Sequence, residues 1–564
     1  MMRTRYLLLP ALLALGARAA LYTDPRSLPK TQYDFVIVGG NVIATRLTEN
    51  PAFHVLVVEA GISNTDVFAD QVPFLGSPSS RTRPSRGIFT TTPQPGLAGR
   101  SLPYPRGRVL GGCSTINFQI WTRGAEDDYN RYLKKSETLV PPTDHHNTTG
   151  EVNPSVHGTN GPIQTTLELP EAFPYNLDMN SGKPLGVGFA QNSISTFGRR
   201  SSSATAYLQP VINRPNLDVL IHTQVTKLIA SSKGTPSFTQ VEIAQSESGP
   251  RFVVCASKEV ILSAGSIGTP QILQLSGIGD ATALRKVGIT PLVQLSDVGQ
   301  NLADHPFLGN AWFVNSTSTL ETVVRRNATL AEELLVQWNT TGTGLFTDPG
   351  ANEIVWTRLP PDTFKTHADP SAGPNSPHIE ILPNGFVSFS EPAPSTGFFL
   401  TTVTVVTNPV SRGSVTLASN NPFDNPIIDP ALLKDPFDLF TMVSAIKTAK
   451  QMASAPTWAD YVLAPGVHLA NATTDAELAA YAMNFTTTVF HPVGSARMAA
   501  SGGVVDASLL VKNTQACVSW TRRYSLSYQR GTRKRLCMVS QSARLTLSRR
   551  LGRTNDGNQN VICK

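Results

Sequence analysis

The chain has 564 residues, enough for two or more domains with large cores. Hydrophobic residues make up 40% and charged residues 15%, ordinary for a globular protein, which excludes a disordered or fibrous chain. The formal charge is +7, but from Val518 onward 11 Lys and Arg stand against one acid, Asp556, so the rest of the chain is slightly acidic. A nucleic-acid reading would rest on that tail alone, and no nucleic-acid partner is expected.

The first elements are processing signals. Arg3 and Arg5, an apolar run over residues 6–15 and Ala17-Arg18-Ala19 read as a signal peptide over residues 1–20. The run is too short to cross a bilayer, and no other segment approaches that length. Secretion to the extracellular space without a membrane anchor is therefore expected. Asn-x-Ser/Thr sequons at Asn147, Asn315, Asn327, Asn339, Asn471 and Asn484 fit a glycoprotein. Of the five cysteines, Cys517, Cys537 and Cys563 fall in the basic tail. Cys113 and Cys255 alone make no disulfide-stapled scaffold, and no spacing points to a metal.

Residues 35–38 form a short apolar strand ending in Gly39-Gly40. Residues 42–49 have helical character, and residues 54–58 make a second apolar strand that ends at Glu59-Ala60-Gly61. Strand, glycine turn, helix, strand and acid are the parts of a dinucleotide-binding unit. Glycines let backbone amides approach a pyrophosphate, the helix N-terminus stabilises its charge, and the acid holds a ribose hydroxyl. Gly-Gly after a strand also reads as a plain turn; Glu59 at the end of the next strand favours the nucleotide.

Residues 106–117, RGRVLGGCSTIN, combine paired glycines, small hydroxyl or thiol residues and an Asn. Such a loop offers many backbone donors to a flat, polar cofactor, although a tight structural turn has the same composition. Residues 265–279, GSIGTPQILQLSGIG, follow a strand over 260–263 and read as a helix with Pro at its start and Ser-Gly at its end, structural in itself. Near the end, residues 490–498 read FHPVGSARM. A histidine preceded by an aromatic and locked by Pro-Val-Gly is a poor core filler and a good positioned base.

Together these segments resemble the glucose-methanol-choline (GMC) oxidoreductases, and most nearly the fungal aryl-alcohol oxidase-like members. The resemblance spans about residues 33–512 and includes both GRVLGGCSTIN and GSIGTPQILQLSGIG. Family-like pieces also occur at residues 157–162, 199–215, 298–302 and 304–306 (Asp304-His305-Pro306). The resemblance implies FAD and an α/β fold, α+β overall: a doubly wound FAD-binding domain over 33–310 with 485–515, and a substrate domain on an antiparallel sheet over 311–484. It implies that Gly39, Gly40 and Glu59 face the ADP half of FAD, with Val225 at the adenine end. Arg108, Val109, Gly112, Ser114 and Asn117 would run along the flavin. His491 matches the first catalytic residue, the base that takes a hydroxyl proton while hydride passes to flavin N5. Phe118 and Phe490 could stack on an aromatic alcohol, and either equally fits wall packing; the overall resemblance and Phe490 favour a primary aryl alcohol over a sugar. Oxygen or a quinone would reoxidise the flavin.

Three departures from the family pattern stand out. The glycine turn passes from Gly40 directly to Asn41, as if four residues were missing, so loss of the pyrophosphate cradle and weak or absent FAD binding are expected. Residues 127–131 meet 132–137 without the Trp-containing segment of the family. Beyond Lys512 the family's ending, with its second catalytic residue, is absent. Back-translating residues 516–539 with a one-base shift permits LRVVDASVFPFISTGHTQAPVYG, which is that ending. The tail over 516–564 therefore reads as the product of a frameshift or misplaced splice junction near Gln515, so family activity is not expected of this exact chain, and a catalytically impaired family member is the alternative reading.

Overall fold

The computed structural model describes residues 21–76, 83–122, 125, 137–140, 153, 155, 163–165, 175–231, 234–384 and 396–519. The signal segment, the junction at 131–132, the piece at 157–162, Asn147 and the tail from residue 520 lie outside the described residues.

The strand Gln32–Gly39 is central to the first sheet. It pairs in parallel with Val55–Val58 on one side and Phe252–Ser263 on the other. Its apolar run is buried on both faces, as a parallel strand covered on both sides requires. Phe35 and Ile37 pack with Ile43, Ala44 and Leu47 of the helix Asn41–Leu47. Val36 and Val38 point the other way, into a core with Ile272 and Leu273 of the helix Gly265–Leu275. This is the doubly wound layering that the sequence pattern leads one to expect.

The sheet extends from Val55–Val58 to Leu217–Leu220 and Leu21–Tyr22, and from Phe252–Ser263 to Gln240–Ala244 and Gln224–Ile229. Phe252–Ser263 is long enough to serve twice. Its first half pairs antiparallel with Gln240–Ala244, and its second half lies parallel to Gln32–Gly39. The short strand Cys517–Ser519 also pairs in parallel with that second half. Cys517 and Val518 are fully buried, so the fold runs to Ser519, four residues past Gln515.

The second sheet is antiparallel. Its order is Val462–Pro465, Pro306–Val314, Phe399–Val406, Ile379–Asn384, Glu353–Thr357 and Gly186–Phe189, with Thr487–Thr488 also paired to Pro306–Val314. One face carries Leu308, Trp312, Leu400 and Val406 against the helices Pro436–Ala453 and Asp475–Phe485. The other carries Trp356, Leu382, Val403 and Val405 against Ile120 and Met179. Residues 186–189 thus join the second sheet from inside the stretch that the sequence reading assigns to the FAD domain.

Candidate active site

A cavity of about 290 Å³ lies at the carboxyl ends of the parallel strands. Its walls come from residues 38–42, 58–60 and 263–268, the segments that leave three adjacent strands, and from residues 106–108, 111–114 and 223–225. In open α/β sheets ligands bind in this crevice.

Gly39 and Gly40 turn the chain into the cavity with left-handed backbones, φ +72° and +74°. A Cβ on Gly40 would stand 2.9 Å from both Ile37 Cγ2 and Ser263 Oγ, so the turn accepts only glycine. The helix Asn41–Leu47 begins at once; Ile43 and Ala44 donate to Gly40 O at 3.0 and 3.2 Å, and only the Asn41 and Val42 amides ahead of them lack an intrahelical acceptor. Asn41 is 4% exposed and lines the cavity, and its Nδ2 has no hydrogen-bond partner. The shortened turn thus places a buried carboxamide donor at the cavity.

Glu59 leaves the strand Val55–Val58 and also lines the cavity. Its Oε1 accepts from the Gly61 amide at 2.8 Å. It opens onto the cavity rather than bulk water, and that burial pushes its carboxyl up to about 7, against the lowering effects of Gly61 and Arg108. Arg108 lies along the wall with Nε donating to Ala60 O at 3.2 Å. Gly112 (φ +54°) is on the wall. So is Ser114, whose Oγ donates to Gly111 O at 2.7 Å and accepts from the Ser203 amide at 2.9 Å. Val225 is on the wall as well.

His491 stands beyond the cavity wall, half-buried. Its backbone is held from below by Asp304, which is 2% exposed. Asp304 Oδ1 accepts from the amides of His491 at 2.7 Å and His305 at 2.8 Å. Oδ2 accepts from Thr488 Oγ1 at 2.6 Å and from the Tyr104 hydroxyl. Phe490 takes a left-handed φ of +60°, rare for a bulky residue, and the turn is held at both ends. Its amide donates to Thr488 Oγ1 at 2.7 Å and its carbonyl accepts from Arg106 Nη1 at 2.9 Å.

The segment after His491 is bolted to the cavity wall. Pro270 lies inside the helix Gly265–Leu275 and not at its start as the sequence reading has it. Its missing N–H leaves the Ser266 carbonyl without a helical donor. Ser495 Oγ supplies one at 2.7 Å, and Ser266 Oγ donates in return to Pro492 O at 2.6 Å. Gly494 is required here, because a Cβ would meet Asn301 O at 2.1 Å.

Most of the residues picked from the sequence thus converge. Gly39, Gly40, Glu59, Arg108, Gly112, Ser114 and Val225 line one cavity. Val109 does not: it is fully buried and bridges Ile62. Asn117 is not on this wall either, and its Oδ1 accepts from Arg200 Nη1 at 2.9 Å. Phe118, Phe490 and His491 also stand off the cavity wall. The sequence reading missed Asn41, Asp304 and His305, and took residues 265–268 as helix only, although they form one wall. An Asn where the turn would otherwise continue, and an Asp-His pair next to a Pro, were the available signals.

A crevice at the carboxyl ends of a doubly wound sheet is where such folds hold nucleotide cofactors. The profiles described as GMC oxidoreductase match residues 33–307 and 409–517. A pyranose dehydrogenase of Agaricus campestris is 37% identical over 88% of this chain and 90% of its own. An FAD-dependent oxidoreductase of Chaetomium thermophilum superposes with a TM-score of 0.79 at 26% identity, covering 92% of this chain and 100% of that one. A fungal aryl-alcohol oxidase has a TM-score of 0.78 at 24% identity, covering 93% and 100%, and shares the fold. The chain belongs to the GMC oxidoreductase family and is an FAD-dependent oxidoreductase. The unpartnered Asn41 Nδ2, the glycine turn and Glu59 within one cavity fit that cofactor.

Proposed function

We propose that the chain oxidises a CH–OH group of a small substrate, with His491 as the base. The observation that carries this is the clamp: a half-buried imidazole whose backbone is fixed by Asp304 and whose chain is bolted to the cavity wall through Ser266. Gly39, Gly40 and Asn41 would hold the FAD pyrophosphate, Glu59 a ribose hydroxyl and Val225 the adenine end, with residues 108–114 along the flavin. Bound there, FAD would supply the acceptor for a hydride from the substrate carbon. The protein's own part is to align the hydroxyl, exclude water and take its proton on the imidazole, a group whose ordinary pKa suits the task. The clamp keeps that acceptor in place before the substrate arrives, which removes an ordering cost from the reaction.

The substrate is a pyranose-type sugar hydroxyl, a reading supported by 37% identity over most of the chain to a pyranose dehydrogenase. A primary aryl alcohol is the second reading, favoured by Phe490, the residue before His491. Recombinant protein with its flavin content measured, assayed on D-glucose and on benzyl-type alcohols, tests the choice. Quinone reduction with glucose supports the first reading; peroxide formed from benzyl alcohol supports the second; neither from a flavin-loaded sample ends both.

Localisation is extracellular in this reading. The sequon residues Asn315, Asn327, Asn339, Asn471 and Asn484 are all exposed, as glycan acceptors must be. Among the described residues no helix is long and apolar enough to cross a membrane.

A further inference from the structure

His491 is paired with a second histidine. His305 is 4% exposed, and its Nδ1 lies 3.3 Å from His491 Nδ1, with the rings 5.4 Å apart and nearly perpendicular at 74°. Two Nδ1 atoms at that distance share one proton: one donates and the other accepts. The arrangement has only two neutral solutions. If His305 donates, neutral His491 carries its proton on Nε2 and has no lone pair left for a substrate. If His491 donates, its Nε2 lone pair is available, and His305 carries its own proton on Nε2.

We propose that His305 is a positioning residue that holds His491 as the Nδ1–H tautomer, so that Nε2 is the base. This rests on the reading of His491 as the base. The substrate hydroxyl proton then moves to His491 Nε2. The imidazolium so formed still donates Nδ1–H to His305, so the contact survives proton uptake. Asp304 supports both partners at once, accepting the amides of His305 and His491 through a single oxygen, which ties the two imidazoles to one anchor. Polar groups that bind Asp304 and the backbone fix the pair in place. The Tyr104 hydroxyl and Thr488 Oγ1 bind Asp304 Oδ2, and Arg106 binds Phe490 O. The Nδ1–Nδ1 contact gives His305 a direct hold on the proton of His491 Nδ1.

The intact chain with ¹⁵N-labelled histidine tests this by NMR, with or without flavin. The His491 resonances, assigned by their loss in His491→Asn, are expected to show the Nδ1–H tautomer. His305→Ala should move His491 toward Nε2–H, while His305→Asn, which keeps an acceptor near the same point, should restore Nδ1–H. His491 found as Nε2–H in the unaltered chain overturns the proposal, and so does an unchanged tautomer in His305→Ala. If His305→Ala fails to fold, the unaltered chain and His305→Asn still decide. Anaerobic flavin reduction provides the second readout. His305→Ala should slow it by up to about 10²- to 10⁴-fold, the share a general base contributes. His491→Ala separates the two ideas: if it reduces flavin at the normal rate, His491 is not the base, whatever the tautomer shows.

Discussion

His491 and Glu59 carry the chemistry that the rest of the molecule positions. His491→Ala in flavin-loaded protein is expected to lower the rate of flavin reduction by about 10²- to 10⁴-fold with little change in flavin content. Stopped-flow reduction with the accepted sugar or alcohol checks it. Glu59 behaves oppositely to a paired surface acid. Its carboxyl sits at about 7 in the folded chain against an ordinary 4.5, because burial disfavours the charge. Below about 4.5 both folded and unfolded chains hold the proton. Between there and about 7 only the folded chain does, so this contribution to stability is present at acid pH and lost as pH rises through 7. Thermal unfolding of flavin-free protein should therefore show Glu59→Gln gaining on the parent from pH 5 to pH 8. A parallel pH dependence in the two proteins would refute the assignment.

At the scale of elements, two short turns decide whether the site exists. Gly40 is left-handed and has no room for a Cβ, so Gly40→Ala is expected to cost roughly 1–2 kcal/mol from backbone handedness alone, with steric strain added. Denaturant unfolding checks it, and flavin retention after dialysis should fall with it. Ser495→Ala removes the donor to the Ser266 carbonyl that Pro270 leaves open. The expected cost is about 1–3 kcal/mol, because a buried acceptor loses its partner. The functional effect should exceed the loss of stability, since the same bolt holds the His491 segment. The strand, glycine turn and acid of the first unit were legible because period, glycine and chain order are local properties. Pro270 was misread as a helix start because its compensation comes from Ser495, which no local pattern reveals. Val109 lies off the cavity wall for a similar reason. It sits in the right loop, but which side of the loop faces the cavity depends on its pairing with Ile62.

On the scale of the whole molecule, the two sheets meet around residues 303–306 and 487–493. There the strand Pro306–Val314 begins and the His491 segment leaves Thr487–Thr488. Ala303 and Val493 exchange backbone hydrogen bonds at 2.9 Å across that seam. Protein recovered from a secreting host and treated with an Asn-glycan amidase should show Asn to Asp conversion at Asn315, Asn327, Asn339, Asn471 and Asn484. Unmodified asparagines throughout would remove the extracellular reading. The described fold ends in the buried strand Cys517–Ser519, close to where the tail becomes basic. A transcript sequenced across Gln515 is expected to contain, one base out of phase, the family ending with its second catalytic residue.

The order of strand, glycine turn, helix and acid, the two family signatures and the histidine before Pro-Val-Gly were determined by the sequence alone. Each is a short-range pattern whose physical cause lies within a dozen residues. Only the tertiary structure decided that Asn41 fills part of a shortened cradle and that residues 265–268 form a wall. It alone showed that Asp304 and His305 stand under His491, nearly two hundred positions along the chain. Those facts depend on which buried groups find partners when the two sheets close on each other, and a linear pattern does not encode that closure.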